Sequence, residues 1–148
     1  MTPSLLLLLL MFGVGALSAL QPSVNARLAD RVAGVLPAAT VSFAVGTVAL
    51  LAVALATGRG GGLRGVGSAP WWELSGGLIG AVYVASTILV FPRIGTAAGM
   101  AAVISAQLAT GLLLDRAGAF GFRQIDLDWR RVVGVLLLLA GAALIYRR

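Results

Sequence analysis

The sequence predicts an all-α integral membrane protein with five transmembrane helices, and two observations support that prediction. Hydrophobic residues make up 59% of the chain and charged residues 11%, which leaves too few polar groups to coat a water-soluble domain. Lipid offers no partner to an exposed backbone, and a bilayer core needs about 20 apolar helical residues. Five long stretches have no charged side chain and each predicts a spanning helix: Met1 to Ala26, Val32 to Gly58, Leu74 to Pro92, Ile94 to Leu114, and Val132 to Tyr146.

We expect a single transmembrane domain over residues 1–148. Its predicted spans cover residues 3–25, 33–57, 71–91, 94–114 and 131–147, approximately. The last stretch is the shortest, and the arginine pairs on its two sides can extend toward the headgroup layers.

The connections between the spans differ in character. Residues 27–31, RLADR, predict a tight polar connection after the first span. Residues 58–70, GRGGGLRGVGSAP, predict a flexible glycine-rich loop. Trp71 and Trp72 then open the third span, where indole rings favour the interfacial belt. Asp115 is expected to close the end of the fourth span beside Arg116.

The composition also excludes several classes of function. The chain has no His and no Cys, which removes imidazole and thiolate metal sites, disulfides, and Ser-His or Cys-His catalysis. We therefore expect no enzyme, no metal and no cofactor. The net charge of +6 comes from arginines at the ends of apolar stretches, where they meet anionic lipid headgroups, so nucleic acid is not an expected partner.

The arginines are almost evenly divided between the two sides of the membrane. An odd number of spans places the termini on opposite sides. Six arginines then accompany the N-terminus and five accompany the C-terminus: Arg59, Arg64, Arg116, Arg123, Arg130 and Arg131 against Arg27, Arg31, Arg93, Arg147 and Arg148. Because arginine and lysine bias normally fixes orientation, the chain is expected to insert both ways and to pair with an inverted copy of itself.

Polar residues at helical spacing near the end of the first span give the main candidate substrate site. Ser18, Gln21 and Asn25 stand at i, i+3 and i+7, so they share one helix face. Pro22 lacks a backbone donor and leaves the carbonyl of Ser18 without its helical partner, and transporter sites use such interrupted helices. The alternative is that QPSVN is simply the interfacial end of the span.

Other candidate site residues lie in the third and fourth spans. Gln107 is an amide in the middle of a span, which either lines a wet cavity or bonds a neighbouring helix. Glu73 shares a stripe with Gly80 and Thr87, with Tyr83 to one side. Glu73 is therefore the candidate proton-coupling carboxylate and Tyr83 a candidate substrate contact, although a first-turn acid also complements a helix dipole.

Glycines four residues apart predict the helix contacts. They are Gly76 with Gly80 and Gly95 with Gly99, and such pairs let two backbones approach closely. The contacts could lie within one subunit or form a homodimer interface.

Four segments follow one another along the chain: QPSVNARLAD, SFAVGT, PWWELSGGLIGAVYV and AQLATGLLLDRAGAFG. Together they resemble the YdcZ-like family of the drug/metabolite transporter superfamily. The resemblance implies a multi-pass protein of the bacterial inner membrane and five-helix half-transporters, each half of a ten-helix inverted-repeat bundle. It implies export of an unknown small molecule by dual-topology homodimers, by pairs with a homologue, or by fused chains. Small multidrug exporters of similar architecture carry a glutamate in the first helix, which this chain lacks.

Two alternatives to a secondary transporter remain open from the sequence. One is a passive dual-topology ion channel, although no phenylalanine pair stands at midspan on a polar face. The other is one subunit of a heterodimeric membrane complex.

Overall fold

Five α-helices lie in the residues that the computed structural model describes, which are 3–121 and 123–146. They are α1 (Pro3–Arg31), α2 (Val35–Ala56), α3 (Ser75–Ile94), α4 (Thr96–Ala117) and α5 (Trp129–Tyr146). All five are long and apolar enough to cross a membrane, with α3 extended by the preceding turn from Trp71. The prediction of an all-α protein with five transmembrane helices is confirmed. Arg147 and Arg148, used in the arginine count, lie outside the described residues.

Helix α1 is longer than its charge-free stretch. It continues through Pro22 to Arg31, so the predicted connection RLADR is wrong: these residues form the last turns of the helix. At 1.5 Å per residue its 29 residues rise about 43 Å, which exceeds the hydrocarbon thickness and carries Arg27 and Arg31 into the headgroup region. Proline removes one backbone donor but does not end a helix that neighbouring elements support.

The connection from α1 to α2 is the short turn of residues 32–34. Ala33 adopts a left-handed conformation with φ of 58°, and Gly34 has φ of 144°. The Gly34 amide donates to the carbonyl of Ala29 at 3.0 Å, and the Val32 amide donates to that of Leu28 at 3.0 Å. The end of α1 is therefore closed by backbone hydrogen bonds, and the turn places α2 directly against α1.

The chain divides into two compact units, one ending at Pro92 and the other beginning at Arg93. In the first unit the core consists of Ala38 and Ala39 from α2 with Val84 and Ile88 from α3. Residues from the end of α1 pack against this core, with Leu28, Ala29 and Val32 partly buried there. Because two of the four core residues are alanines, the helices meet through small side chains, as expected where lipid gives no hydrophobic force between helices.

In the second unit α4 packs against α5, and residues 118–128 connect them. Helix α4 ends at Gly118, which has φ of 59°, the left-handed conformation that glycine adopts without strain. The connection returns to the end of α4, where the Ile125 amide donates to the carbonyl of Asp115 at 2.9 Å and Gln124 Nε2 donates to that of Arg116 at 2.9 Å. These bonds tie the long connection to the helix.

The predicted glycine-rich loop between α2 and α3 contains regular 3₁₀ structure. Gly60–Ser68 forms a 3₁₀ helix, which we call the loop helix, and Trp71–Leu74 forms a shorter 3₁₀ turn before α3. The expectation of flexibility rested on glycine content, yet here the backbone is held by internal bonds. The Gly62 amide donates to the carbonyl of Arg59 at 3.0 Å, and the Ala69 amide donates to the carbonyl of Val66 at 3.2 Å.

Candidate functional site

The packed face of α1 carries the candidate site. Pro22 is fully buried, Asn25 is 5% exposed, and Ser18 is half-buried. These positions are separated by four and then three residues, so they lie on one side of the helix. The proline and the asparagine are thus enclosed, on a helix whose other large side chains are mostly exposed.

Asn25 has an unpaired donor. Its Nδ2 atom is buried and has no hydrogen-bond partner among the described residues. Leaving a buried amide donor without a partner costs about 1 to 3 kcal/mol. A group that persists at such a cost needs an explanation, and a bound polar ligand is one that suits a transport protein.

Pro22 adds an acceptor to the same face. Since proline has no N–H, the backbone carbonyl of Ser18 loses the donor that position 22 would otherwise supply. The Ser18 hydroxyl does not replace it, because Oγ donates to the carbonyl of Val14 at 2.9 Å. A carbonyl acceptor at Ser18 and an amide donor at Asn25 therefore share one helix face, separated by about 10 Å along the axis.

Gln21 does not share the environment of Asn25. It is exposed, whereas the neighbouring Pro22 is buried, because the packed face passes through positions 18, 22 and 25. The predicted stripe is therefore divided by exposure: Asn25 is buried, whereas Gln21 is exposed.

The remaining predicted residues lie in separate places. Tyr83 is half-buried and packs against the core of the first unit. Glu73 is exposed in the 3₁₀ turn before α3, where its backbone amide donates to the carbonyl of Pro70 at 3.0 Å. Gln107 is exposed on α4, in the second unit. Asn25, Glu73 and Tyr83 belong to the first unit, and Gln107 belongs to the second.

The four predicted packing glycines differ in role. Gly80 contacts the ring of Phe43, since a β-carbon on Gly80 would lie 3.3 Å from its Cζ atom. Gly99 is buried, and Gly76 faces open space. Gly95 requires a correction: it is the N-cap of α4 with φ of 88°, so a turn conformation, and not a close helix contact, explains the glycine.

Two buried hydroxyl groups were not predicted as site residues. Thr87 Oγ1 donates to the carbonyl of Val84 at 2.9 Å, and Ser105 Oγ donates to that of Ala101 at 2.7 Å. Both are satisfied within their own helices, unlike the Asn25 amide. Threonine and serine often bond in this way in apolar helices, so neither hydroxyl needs a ligand.

Asp115 has a partner that its sequence neighbours do not indicate. Its Oδ2 atom lies 3.1 Å from Nη1 of Arg131, at the start of α5. The sequence predicted only that Asp115 lies at the helix end beside Arg116. The pair is about 40% exposed on each side, so it ties the two helix ends together at modest strength.

The fold defines a multi-pass α-helical membrane protein, and a buried polar side chain, Asn25, lies on the packed face of its first helix. Residues 6–144 match the family model described as "Putative inner membrane exporter, YdcZ". The chain belongs to this family and is a multi-pass protein of the inner membrane. The predicted family and location are confirmed.

A curated relative gives the same assignment over part of the chain. The chain is 35% identical over 83 residues to "Inner membrane protein YdcZ" of Escherichia coli strain K12. That alignment covers 56% of this chain and 55% of the relative, so it spans about half the length of each protein. No solved structure matches the chain.

Proposed function

We propose that this protein is a secondary transporter that exports a small polar molecule across the inner membrane, and not an enzyme. The exporter family and the five membrane-spanning helices support this function. The observation that carries the proposal is the buried, unpaired Nδ2 of Asn25. A polar group held inside a membrane bundle without a partner is a functional-site candidate.

In this proposal Asn25 and the carbonyl of Ser18 bind the substrate. Asn25 supplies a hydrogen-bond donor and the carbonyl of Ser18 supplies an acceptor. A neutral or zwitterionic molecule that has both an acceptor and a donor would therefore suit them. Gln21, Tyr83 and Gln107 are further proposed substrate contacts in the complete transporter. Glu73 is the proposed proton-coupling carboxylate, because it lies in the turn that opens the third span and not in the long polar connection after α4.

The proposed assembly is an antiparallel pair of chains, either two copies of this one or this chain with a homologue. The near-equal arginine count supports insertion in both orientations. Glycines with open space beside them, such as Gly76 on α3 and Gly111 on α4, leave room for a second chain to approach. An inverted pair would form the ten-helix arrangement of inverted-repeat transporters.

The transport function can be tested without knowing the substrate. Proteoliposomes are loaded with a carbon-13-labelled bacterial metabolite extract and placed in an unlabelled extract, and exchange is followed by mass spectrometry. We expect saturable counterflow of at least one polar compound. Leakage that rises linearly with concentration, without counterflow, would instead indicate a passive channel.

Asn25→Leu should reduce that counterflow by at least about tenfold, because leucine has the same branching at Cγ but no hydrogen-bond donor. Removal of an unpaired buried amide should leave the free energy of unfolding in mixed micelles unchanged or raise it by about 1 kcal/mol. Thr87→Val is the matched control, because the Thr87 hydroxyl already donates to the carbonyl of Val84. Counterflow by this variant should stay close to wild type. Equal activity of the two variants would contradict a substrate role for Asn25.

Reporter fusions test the antiparallel arrangement. Because the arginines are nearly balanced, a reporter at the C-terminus should appear on both sides of the membrane. Two or three arginines added to one side should then fix a single orientation. If every unmodified chain places its C-terminus on the same side, dual insertion is excluded, and the transporter requires a partner of opposite orientation.

A further inference from the structure

The loop helix has an apolar edge beside a basic one. Leu63 and Val66 are 56% and 50% exposed, and residues three apart align on the same edge of a 3₁₀ helix. Arg64 lies on the next edge and is exposed, and Arg59 is the N-cap residue. The segment is therefore amphipathic, although neither edge is covered by another helix of the first unit.

Both ends of the loop helix adjoin helices that are long and apolar enough to span a membrane, which end at Ala56 and begin at Trp71. At the end of α2, Gly58 has φ of 70°, the amide of Arg59 donates to the carbonyl of Ala54 at 2.8 Å, and Leu55 lies against Gly60. This hydrogen-bonded glycine turn ends the helix and redirects the chain. At the other end, Trp71 and Trp72 open the third span, and indole rings favour the headgroup layer.

The length of the loop helix indicates an external support. It has nine residues, whereas 3₁₀ helices longer than three or four residues are uncommon, and its glycines add an entropic cost. Its main contact with another helix in the described residues is with α2, where Leu55 lies against Gly60. A surface outside the chain would stabilise the conformation by covering Leu63 and Val66.

Charge indicates the chemistry of that surface. Residues 32–72 contain two basic side chains, Arg59 and Arg64, and no acidic one. Guanidinium groups bind phosphate oxygens with two parallel hydrogen bonds. A headgroup layer containing anionic phospholipid offers such phosphates directly above the apolar boundary that the leucine and valine require.

We propose that the loop helix lies in the plane of the membrane and binds anionic phospholipids. Leu63 and Val66 insert at the acyl boundary, and Arg59 and Arg64 bind headgroup phosphates. This interaction anchors the connection between α2 and α3 and is independent of the transported substrate.

Lipid competition tests the charge component. The full-length protein is placed in nanodiscs of mixed phosphatidylglycerol and phosphatidylcholine, and the retained lipids are quantified by mass spectrometry. Each arginine near an anionic surface contributes about a fivefold preference, so Arg59→Gln with Arg64→Gln should reduce the preference for phosphatidylglycerol by up to about 30-fold. The control pair, Arg116→Gln with Arg123→Gln, removes the same charge from the end of α4 and the connection that follows it. It measures the preference that any two arginines near the headgroups produce, and its effect should be smaller. Equal loss in both pairs, or no loss in the first, would overturn the proposal.

A spin-label scan tests the orientation in the otherwise unmodified chain, which has no cysteine. Labels at Leu63→Cys and Val66→Cys should be accessible to oxygen dissolved in the bilayer. Labels at Gly62→Cys and Gly65→Cys lie on another edge and face open space, so a water-soluble nickel chelate should reach them. Uniform access of the chelate to all four positions would show that the loop helix stands in water and would overturn the proposal.

Discussion

The hairpin of α1 and α2 and the hairpin of α4 and α5 are held together by different means. The first has a short turn closed by backbone bonds, and α2 contributes the fully buried Ala38. The second has a long polar connection, tied to α4 by Gln124 and by the ion pair of Asp115 with Arg131. The comparison shows that a short turn requires small residues for close packing, whereas a long connection needs side-chain hydrogen bonds to fix its path.

The largest expected effect comes from overfilling the first hairpin. Ala38→Leu adds side-chain volume at a position with 0% exposure and should lower the free energy of unfolding by about 1 to 3 kcal/mol. Unfolding in mixed micelles measures the change. Ala52→Leu makes the same substitution at an exposed position of α2 and should change stability little. Equal effects at the two positions would show that close packing at Ala38 is unimportant.

A smaller effect is expected at the turns, where two residues have almost the same positive φ. Ala33 has φ of 58° and Gly118 has φ of 59°. A β-carbon in this region costs about 1 kcal/mol, so Ala33→Gly should raise the free energy of unfolding by about that amount and Gly118→Ala should lower it similarly. Changes of the same sign in the same unfolding assay would contradict this account of both turns.

The smallest effect is expected at the ion pair, which is partly exposed. A double-mutant cycle with Asp115→Asn and Arg131→Gln should give a coupling energy of about 0.2 to 1 kcal/mol. The coupling should fall toward zero in about 1 M salt, because mobile ions screen exposed charges. The effect of Ala38→Leu should not depend on salt. A coupling that survives high salt would mean that the pair is shielded from solvent in the membrane-embedded protein.

Much of the fold follows from local sequence. The charge-free stretches predicted all five helices, and the bounds of α2 differ from the prediction by only one or two residues. The errors arose where contacts between helices outweighed a local sequence preference. Pro22 did not end α1, and RLADR became helical, because the packed face of α1 continues past the proline to Leu28 and Ala29. The glycine content of residues 58–70 likewise did not predict an ordered helix.

The candidate site was predictable only in part. The spacing of Ser18 and Asn25 placed both residues on one face, and the missing donor of Pro22 was evident from its chemistry. The opposite environments of Gln21 and Asn25 were not, because two amides near one turn look alike until a neighbouring helix covers one of them. The pairing of Asp115 with Arg131 also depended on the path of the connection after α4, which local spacing does not determine.

The sequence by itself determined that this protein spans a membrane with five helices, since the cost of placing charge in lipid depends on residue type and span length. It also determined the family, through motifs that extend along most of the chain. Only the tertiary structure decided that Asn25 is enclosed with an unpaired donor, that Arg131 finds Asp115, and that Gly95 belongs to a turn. These outcomes depend on contacts between residues that are distant in sequence, and local sequence patterns do not determine such contacts.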